Sequence, residues 1–153
     1  ELQRVVQGND FGWPYCYFDL RQGHRVLAPE YGGDGQEVGR CAELATPILA
    51  FPPHSAPNDL LFYAGTQFPE RYRGGAFMAF HGRGSPAEPG YRVAFVPFAG
   101  STPGAPETFA GGFAGADPAS PPHRPMGLAE GPDGSLYIAD SRQGRVWRVM
   151  WKQ

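Results

Sequence analysis

The sequence predicts an all-β protein built from antiparallel strands and tight turns. Its 153 residues include 22 Gly and 17 Pro, a content that suits frequent turns. Aromatic residues make up 14% of the chain, whereas disordered chains lack so much apolar ring surface. Apolar residues recur with a period of two in several short segments, and helical periodicity is nearly absent.

The N-terminal third contains one predicted strand and one short helix candidate. Leu2–Val6 alternates between apolar and polar residues and leads into a turn at residues 8–10, which predicts a strand. Residues 39–49 are the helix candidate, and Pro47 limits them to a turn or two. A domain rarely starts within a strand, so we expect that an N-terminal portion is missing or is supplied by another chain.

Cys16 and Cys41 are the two cysteines of the chain. In an oxidising compartment such a pair favours a disulfide, and two unpaired buried thiols are the alternative. The segment between them is rich in Gly and contains Pro29, which predicts little regular structure. A crosslink over a loop of this size stabilises the fold by roughly 3 kcal/mol.

Three short apolar runs follow in the middle of the chain, at residues 60–64, 75–80 and 91–98. The C-terminal stretch predicts a three-stranded meander, with strands at residues 126–130, 135–140 and 145–151. Pro132 and Gly134 suit the first of its two turns. We interpret Asp133 and Asp140 as turn formers, and Glu88 and Glu130 as surface charges.

The middle and C-terminal stretches follow one plan at a spacing of roughly 40–50 residues, which is typical of β-propeller blades. A single blade cannot bury both of its faces, and two units are too few to close a ring. The fold class that we predict is therefore antiparallel meander blades that form part of a propeller.

Composition excludes several functions. The formal net charge of −2 gives no reason to expect nucleic acid as a partner. No apolar run approaches the ~18 residues that a membrane-spanning helix needs. The sequence also lacks a Gly-x-Ser-x-Gly nucleophile turn, a phosphate-binding loop and a Cys-x-x-Cys motif.

Six motifs occur in a fixed order over nearly the whole chain: residues 8–16, 53–57, 68–77, 80–82, 90–93 and 124–134. Together they resemble the C-terminal half of the glucose/sorbosone dehydrogenase family, the pyrroloquinoline quinone-dependent aldose sugar dehydrogenases. The resemblance implies a six-bladed β-propeller that binds the quinone and calcium at the mouth of its central channel. Residues 1–153 are then the C-terminal portion of that single domain.

The resemblance also implies a reaction. In the family, a His general base takes a proton from a sugar hydroxyl while hydride passes to the quinone. That His lies in the N-terminal half, so we expect no catalytic residue in this chain and no turnover without the N-terminal half. The implied location is periplasmic or secreted, the substrate is a sugar or aldehyde, and a cytochrome is a candidate electron acceptor.

The family assigns the calcium to a turn that corresponds to Gly12, Trp13 and Pro14 here, through backbone carbonyls. Calcium prefers oxygen ligands, and a turn fixed by Gly and Pro presents carbonyls readily. The alternative is a structural turn with Trp13 buried in the core.

The cofactor contacts implied by the resemblance are Arg124, His54, His81 and Arg83. Arg124 occupies the place of an Arg that pairs with the carboxylates of the quinone, and a guanidinium suits that geometry; a surface Arg is the alternative. His54 and His81 lie in loops that face the channel mouth in the family, and structural histidines are the alternative. Arg83 follows Gly82 where many relatives continue Ser-Trp-Asn-Arg, and it is a candidate replacement for the displaced Arg.

That departure at residues 83–86 favours a second hypothesis, in which the protein is a catalytically inactive propeller. Such a relative would serve as a structural or docking subunit of a periplasmic assembly. A lactonase-like hydrolase is a third option, but the sequence contains no converging cluster of Glu, Asn and Asp ligands for its metal.

Overall fold

The computed structural model describes residues 1–84 and 90–152. The chain divides into two compact units, the N-terminal unit Glu1–Phe51 and the C-terminal unit Pro52–Gln153. Among the described residues the regular structure is eleven β-strands and three 3₁₀ turns, and every strand pair is antiparallel. The predicted all-β class is confirmed. No helix within the described ranges is long and apolar enough to span a membrane.

The N-terminal unit is organised around a hairpin of β1 (Cys16–Asp19) and β2 (His24–Leu27). The Asp19 carboxylate closes the hairpin by accepting the backbone N–H groups of Arg21 and Gln22 at 2.8 and 3.1 Å. Cys16 at the start of β1 is bonded to Cys41 in the 3₁₀ turn Gly39–Cys41. The predicted disulfide is confirmed.

The predicted strand at Leu2–Val6 is wrong. Only Leu2 pairs, in an isolated bridge with Leu49, and the side chains of Val5 and Val6 are 75% and 55% exposed. Alternation alone does not make a strand when only the first of these residues meets a partner segment. The helix candidate at residues 39–49 is reduced to the 3₁₀ turn Gly39–Cys41.

The C-terminal unit contains two larger sheets. The strands of this unit are β3 (Pro57–Phe62), β4 (Ala76–Phe80), β5 (Arg92–Val96), β6 (Phe98–Ala99), β7 (Thr102–Pro103), β8 (Glu107–Ala110), β9 (Pro125–Glu130), β10 (Leu136–Asp140) and β11 (Val146–Val149). The first sheet is four-stranded, in the order β3–β4–β5–β8, and the second is three-stranded, in the order β11–β10–β9. A two-stranded ribbon, β6–β7, lies between β5 and β8 in the chain.

The core of this unit is a cluster of aromatic rings between the two sheets. Phe77 of β4 is fully buried, and its ring lies within 6 Å of the rings of Tyr63, Tyr72, Phe95 and Phe109. Leu136 and Ile138, which alternate inward on β10, pack into the same cluster.

Polar contacts also join the two sheets. The Tyr63 hydroxyl donates to the Gly134 carbonyl at 2.7 Å, and Asp59 accepts the Leu128 N–H at 2.7 Å. Glu130, which we interpreted as a surface charge, accepts the backbone N–H of Ala64 at 2.9 Å.

The meander predicted at the C-terminus is present as β9–β10–β11. In its first turn, Asp133 accepts the hydroxyl and backbone N–H of Ser135 and pairs with Arg148, as a turn former does. The hairpin β1–β2 and the strand β8 were not predicted. Each of these strands has only four residues, CYFD, HRVL and ETFA, in which apolar and polar residues do not alternate.

Candidate functional site

One end of the C-terminal unit brings five strand termini together, and we call it the site end. There β4 ends at Phe80, which pairs with Pro57 at the start of β3 and with Arg92 at the start of β5. In the other sheet, Asp140 at the end of β10 pairs with Pro125 at the start of β9. The segments that flank these termini contain the four predicted cofactor-contact residues: His54, His81, Arg83 and Arg124.

Backbone hydrogen bonds join three of these flanking segments. The N–H groups of His81, Gly82 and Gly84 donate to the carbonyls of residues 56, 55 and 54 at 2.9–3.0 Å, and Tyr91 N–H donates to the Gly82 carbonyl at 2.8 Å. A Cβ at Gly82 would lie 2.0 Å from the His54 carbonyl oxygen, so only glycine fits there. The segments are held as one close-packed layer.

The same layer contains strained backbone. Among the described residues, His54 (φ 64°), Ala56 (φ 45°) and Tyr91 (φ 50°) are the non-glycine residues with left-handed backbone. Side chains disfavour that region, and such strain concentrates at ligand sites. All three lie at the site end.

Arg124 is restrained through both its backbone and its side chain. Its N–H donates to Asp140 Oδ1 at 2.9 Å, and its carbonyl accepts Ser141 N–H at 3.2 Å. Its Nε donates to the His81 carbonyl at 3.1 Å, and the guanidinium lies 5.6 Å from the centre of the Tyr91 ring. Within residues 1–84 and 90–152 that carbonyl is the one acceptor of the Arg124 side chain, and no described residue accepts a hydrogen bond from Nη1 or Nη2.

His81 is brought into contact with the turn after β10. Its Nε2 lies 2.8 Å from the Ser141 hydroxyl. Burial of the ring and the nearby Arg124 guanidinium lower the pKa of His81 below 6.5, against the opposing charge of Asp140. His81 is therefore neutral at neutral pH and is a hydrogen-bonding group rather than a cation.

Asp140 was predicted only as a turn former, and the structure shows more. The residue is 4% exposed, and its Oδ1 accepts the backbone N–H groups of Arg124 and Arg142 at 2.9 and 2.8 Å. Its Oδ2 lies 2.8 Å from Nδ1 of His123, whose ring contacts Trp147 edge-on. Burial opposes ionisation of Asp140, but these hydrogen bonds outweigh it and lower its pKa to about 2.

The remaining predicted cofactor contacts lie at the site end with exposed side chains. His54 contributes its carbonyl to Gly84, and Arg83 contributes its carbonyl to the N–H of Gly90 at 2.8 Å. Their roles as cofactor contacts stay predictions. Ser85 and Pro86, which belong to the altered segment at residues 83–86, and Glu88, which we interpreted as a surface charge, lie outside the described residues.

The proposed calcium turn lies in the N-terminal unit. Gly12 has left-handed backbone (φ 85°), its N–H donates to Asp10 at 2.7 Å, and its carbonyl accepts Cys16 N–H at 2.8 Å. Trp13 is 88% exposed, so the alternative that places its ring in the core is wrong. Each carbonyl has two lone pairs, which leaves Gly12 able to accept a cation as well.

Across the described parts of the chain, no group of three or more His, Cys, Asp or Glu side chains could hold a metal ion. A calcium ion bound at Gly12, Trp13 and Pro14 would thus depend on backbone carbonyls and on ligands from outside these residues. The chemistry of the turn fits calcium, which takes carbonyl oxygens readily.

Known proteins that are similar to this chain match nearly all of its residues. Two solved structures of glucose dehydrogenases superpose with TM-scores of 0.66 and 0.67, at 22% and 21% identity. Each match covers 95% of this chain and 35–36% of the dehydrogenase, so the chain spans about a third of their length. An uncharacterised protein of Borreliella burgdorferi is 27% identical over 146 residues, which are 94% of this chain and 36% of that protein.

The sequence profile of a family described as TrAA12-like matches residues 2–152. The family resemblance stated from the motifs is confirmed, since the profile and the solved structures cover nearly the same residues. The chain belongs to the TrAA12-like family, and its fold is that of a part of a glucose dehydrogenase.

Proposed function

We propose that this chain is the C-terminal portion of a β-propeller dehydrogenase that oxidises an aldose, or a similar polyol or aldehyde, by hydride transfer to pyrroloquinoline quinone. Membership of the TrAA12-like family and the fold shared with glucose dehydrogenases support a sugar dehydrogenase. The observation that favours the quinone is Arg124, whose backbone and Nε are restrained while no described residue accepts a hydrogen bond from its two terminal nitrogens.

Arg124 would bind a carboxylate of the quinone. Its two Nη groups form a planar fork that matches the two oxygens of a carboxylate, and charge-assisted pairs of this kind are strong. The Tyr91 ring and the His81 carbonyl hold the guanidinium in place, so little side-chain entropy is lost on binding. When bound, the quinone supplies the acceptor of the hydride.

His81 and Ser141 would add neutral hydrogen-bonding groups beside Arg124. Because His81 is uncharged at neutral pH, it does not repel the Arg124 guanidinium and can donate or accept a hydrogen bond. His54 and Arg83, exposed at the same end, are the further candidates for contact with the quinone or the substrate.

The calcium ion would be bound by the carbonyls of Gly12, Trp13 and Pro14. In this proposal the base that takes the proton of the sugar hydroxyl belongs to the N-terminal half, and the chain acts only when that half is present. The disulfide between Cys16 and Cys41 is consistent with a periplasmic or secreted location, because disulfides persist in oxidising compartments.

The test uses the full-length protein, supplied with pyrroloquinoline quinone and calcium. Quinone binding is measured by absorbance titration, and turnover by dye reduction with a panel of aldoses. We expect Arg124→Ala to raise the Kd of the quinone about 100-fold, since it removes a charged bidentate contact. Arg142→Ala is the matched control, because Arg142 is exposed in the next turn and only its backbone contacts Asp140.

A wild-type protein that binds no quinone would refute the proposal. The departure at residues 83–86 favours a second function in that event, that of an inactive structural or docking subunit. A stable complex with another periplasmic protein, together with the absence of quinone binding, would establish it.

A further inference from the structure

We infer that Asp140 is a positioning residue for Arg124, holding the guanidinium in the place where it binds the anionic ligand of the site end. The inference rests on the proposed function in one respect, namely that this ligand is the quinone. Asp140 itself does not reach the ligand in this account, and it acts through the backbone of Arg124.

The first argument is the geometry of the backbone. Asp140 Oδ1 accepts the Arg124 N–H at 2.9 Å, and the next residue, Ser141, donates its N–H to the Arg124 carbonyl at 3.2 Å. Both backbone groups of Arg124 are therefore bound to the end of β10. Because the direction in which a side chain leaves its Cα is set by the backbone, these two bonds fix where the Arg124 side chain begins.

The second argument is that Asp140 is itself held rigidly. Its Oδ1 also accepts Arg142 N–H at 2.8 Å, and its Oδ2 lies 2.8 Å from His123 Nδ1. The His123 ring contacts Trp147 edge-on at 5.1 Å, and Trp147 contacts Phe113 in the same way. Because both oxygens of the carboxylate are hydrogen-bonded and packed rings support it, the carboxylate has a fixed position and fixes the groups that donate to it.

The third argument is that the backbone and the side chain of Arg124 are hydrogen-bonded to different sheets. Asp140, in the three-stranded sheet, accepts the backbone N–H of Arg124. The His81 carbonyl, which follows β4 of the four-stranded sheet, accepts a hydrogen bond from Arg124 Nε at 3.1 Å. If the bond to Asp140 is lost, the Arg124 N–H at a half-buried position loses its acceptor, and we expect the Nε bond to His81 to lengthen or break.

Asp133 provides a natural control in the same meander. It lies within the preceding turn, residues 131–134, and its carboxylate accepts the Ser135 hydroxyl at 2.6 Å and pairs with Arg148. Its side chain is 41% exposed, and Gln67 Nε2 donates to its Oδ2 at 3.2 Å from the segment between β3 and β4. Both aspartates were interpreted as turn formers, but none of these partners of Asp133 lies at the site end.

The test is made in the full-length protein with calcium and pyrroloquinoline quinone as the probe. We expect Asp140→Ala to raise the quinone Kd at least about tenfold, because supporting partners of a ligating group have effects of that size. Asp140→Asn retains one oxygen that can accept the Arg124 N–H, so it should restore most of the affinity. Asp133→Ala should change the Kd less than about twofold.

A double-mutant cycle separates positioning from general damage. If Asp140 acts through Arg124, then Asp140→Ala has no further effect on quinone affinity once Arg124 is replaced by Ala. Effects that simply add in the double variant would overturn the inference.

A second measurement needs no quinone. In selectively ¹⁵N-arginine-labelled protein, the Nε–H of Arg124 is assigned by its loss in Arg124→Ala, and its hydrogen exchange is followed by NMR. We expect exchange to be at least about tenfold faster in Asp140→Ala, intermediate in Asp140→Asn and unchanged in Asp133→Ala. Should Asp140→Ala fail to fold, Asp140→Asn is compared directly with Asp133→Asn.

These readouts distinguish the two proposals. A wild-type protein that binds no quinone, yet shows the expected exchange pattern, refutes the proposed function and supports the positioning role. Unchanged Nε–H exchange in both Asp140 variants refutes the positioning role, whatever the wild-type protein binds.

Discussion

The two units of the chain are stabilised in different ways. The C-terminal unit buries a cluster of large rings between two sheets, with Phe77 at its centre. The N-terminal unit buries few large side chains, and its hairpin is connected to the segment after it by the disulfide between Cys16 and Cys41. A covalent crosslink takes the role there that apolar burial has in the other unit, as is common where a core is small.

The largest expected effect tests the aromatic core. Phe77→Ala removes a fully buried ring that contacts five others, and we expect it to lower the free energy of unfolding by about 3–5 kcal/mol. Urea unfolding followed by circular dichroism measures the loss. Phe62→Ala is the control, because that ring is 57% exposed, and its cost should stay below about 1 kcal/mol. Similar losses for both variants would show that burial in the aromatic cluster is not what stabilises the C-terminal unit.

The next effect tests the crosslink. Replacing Cys16 and Cys41 by Ser opens a loop with a sequence separation of 25 residues, and we expect a loss of about 3 kcal/mol through loop entropy. Hydrogen exchange resolved by peptide should become faster in β1 and β2 and should not change in β4. Faster exchange in β4 alone would contradict the comparison.

A smaller effect concerns the charge buried at the site end. The folded-state pKa of Asp140 is lowered to about 2 from 3.8, so its ionised form stabilises the fold. The contribution, roughly 2 kcal/mol, is complete above about pH 4 and is lost as the pH falls through 2. Free energies of unfolding measured between pH 5 and pH 2 should fall more steeply in the wild type than in Asp140→Asn. If the free energy of unfolding fell equally steeply in both proteins, the stabilising role of the Asp140 charge would be contradicted.

The smallest effect concerns His81, whose pKa is lowered by burial and by Arg124. The neutral ring is favoured in the folded state, so its contribution to stability is complete above pH 6.5 and decreases as the pH falls below that value. An NMR titration should give a midpoint below 6.5, and Arg124→Ala should move it upward. A midpoint at 6.5 in both proteins would show that the ring is not buried beside a cation.

The parts of the fold that were predicted correctly have strong local signals. The meander of β9, β10 and β11 combines apolar alternation with Gly and Pro at the turn of residues 131–134, so period and turn chemistry agree. Leu2–Val6 has the alternation without a partner strand, and the prediction of a strand there is wrong. The fourth strand of the larger sheet, β8, is missed because its sequence, Glu-Thr-Phe-Ala, does not alternate between apolar and polar residues.

The residues of the candidate site also fall into two groups, those identified from the sequence and one that was missed. Arg124, His54, His81 and Arg83 were identified from motifs, and the structure places all four at one end of the C-terminal unit. The role of Asp140 was missed, because an Asp between a strand and a turn is common and its partners are 16–17 residues away in the chain. Both Asp140 and Asp133 were interpreted as turn formers, although one is buried and the other is half-exposed.

The short backbone ladder at the site end has a consequence for variation in loop length. Arg83 and Gly90 are joined by a backbone hydrogen bond of 2.8 Å, and Gly82 with Tyr91 forms the next rung, so the connection between them starts and ends at a fixed base. Lengthening a connection with pinned ends costs little, about 0.6 kcal/mol for each doubling. Insertions between Arg83 and Gly90 are therefore expected to leave β4 and β5 in place.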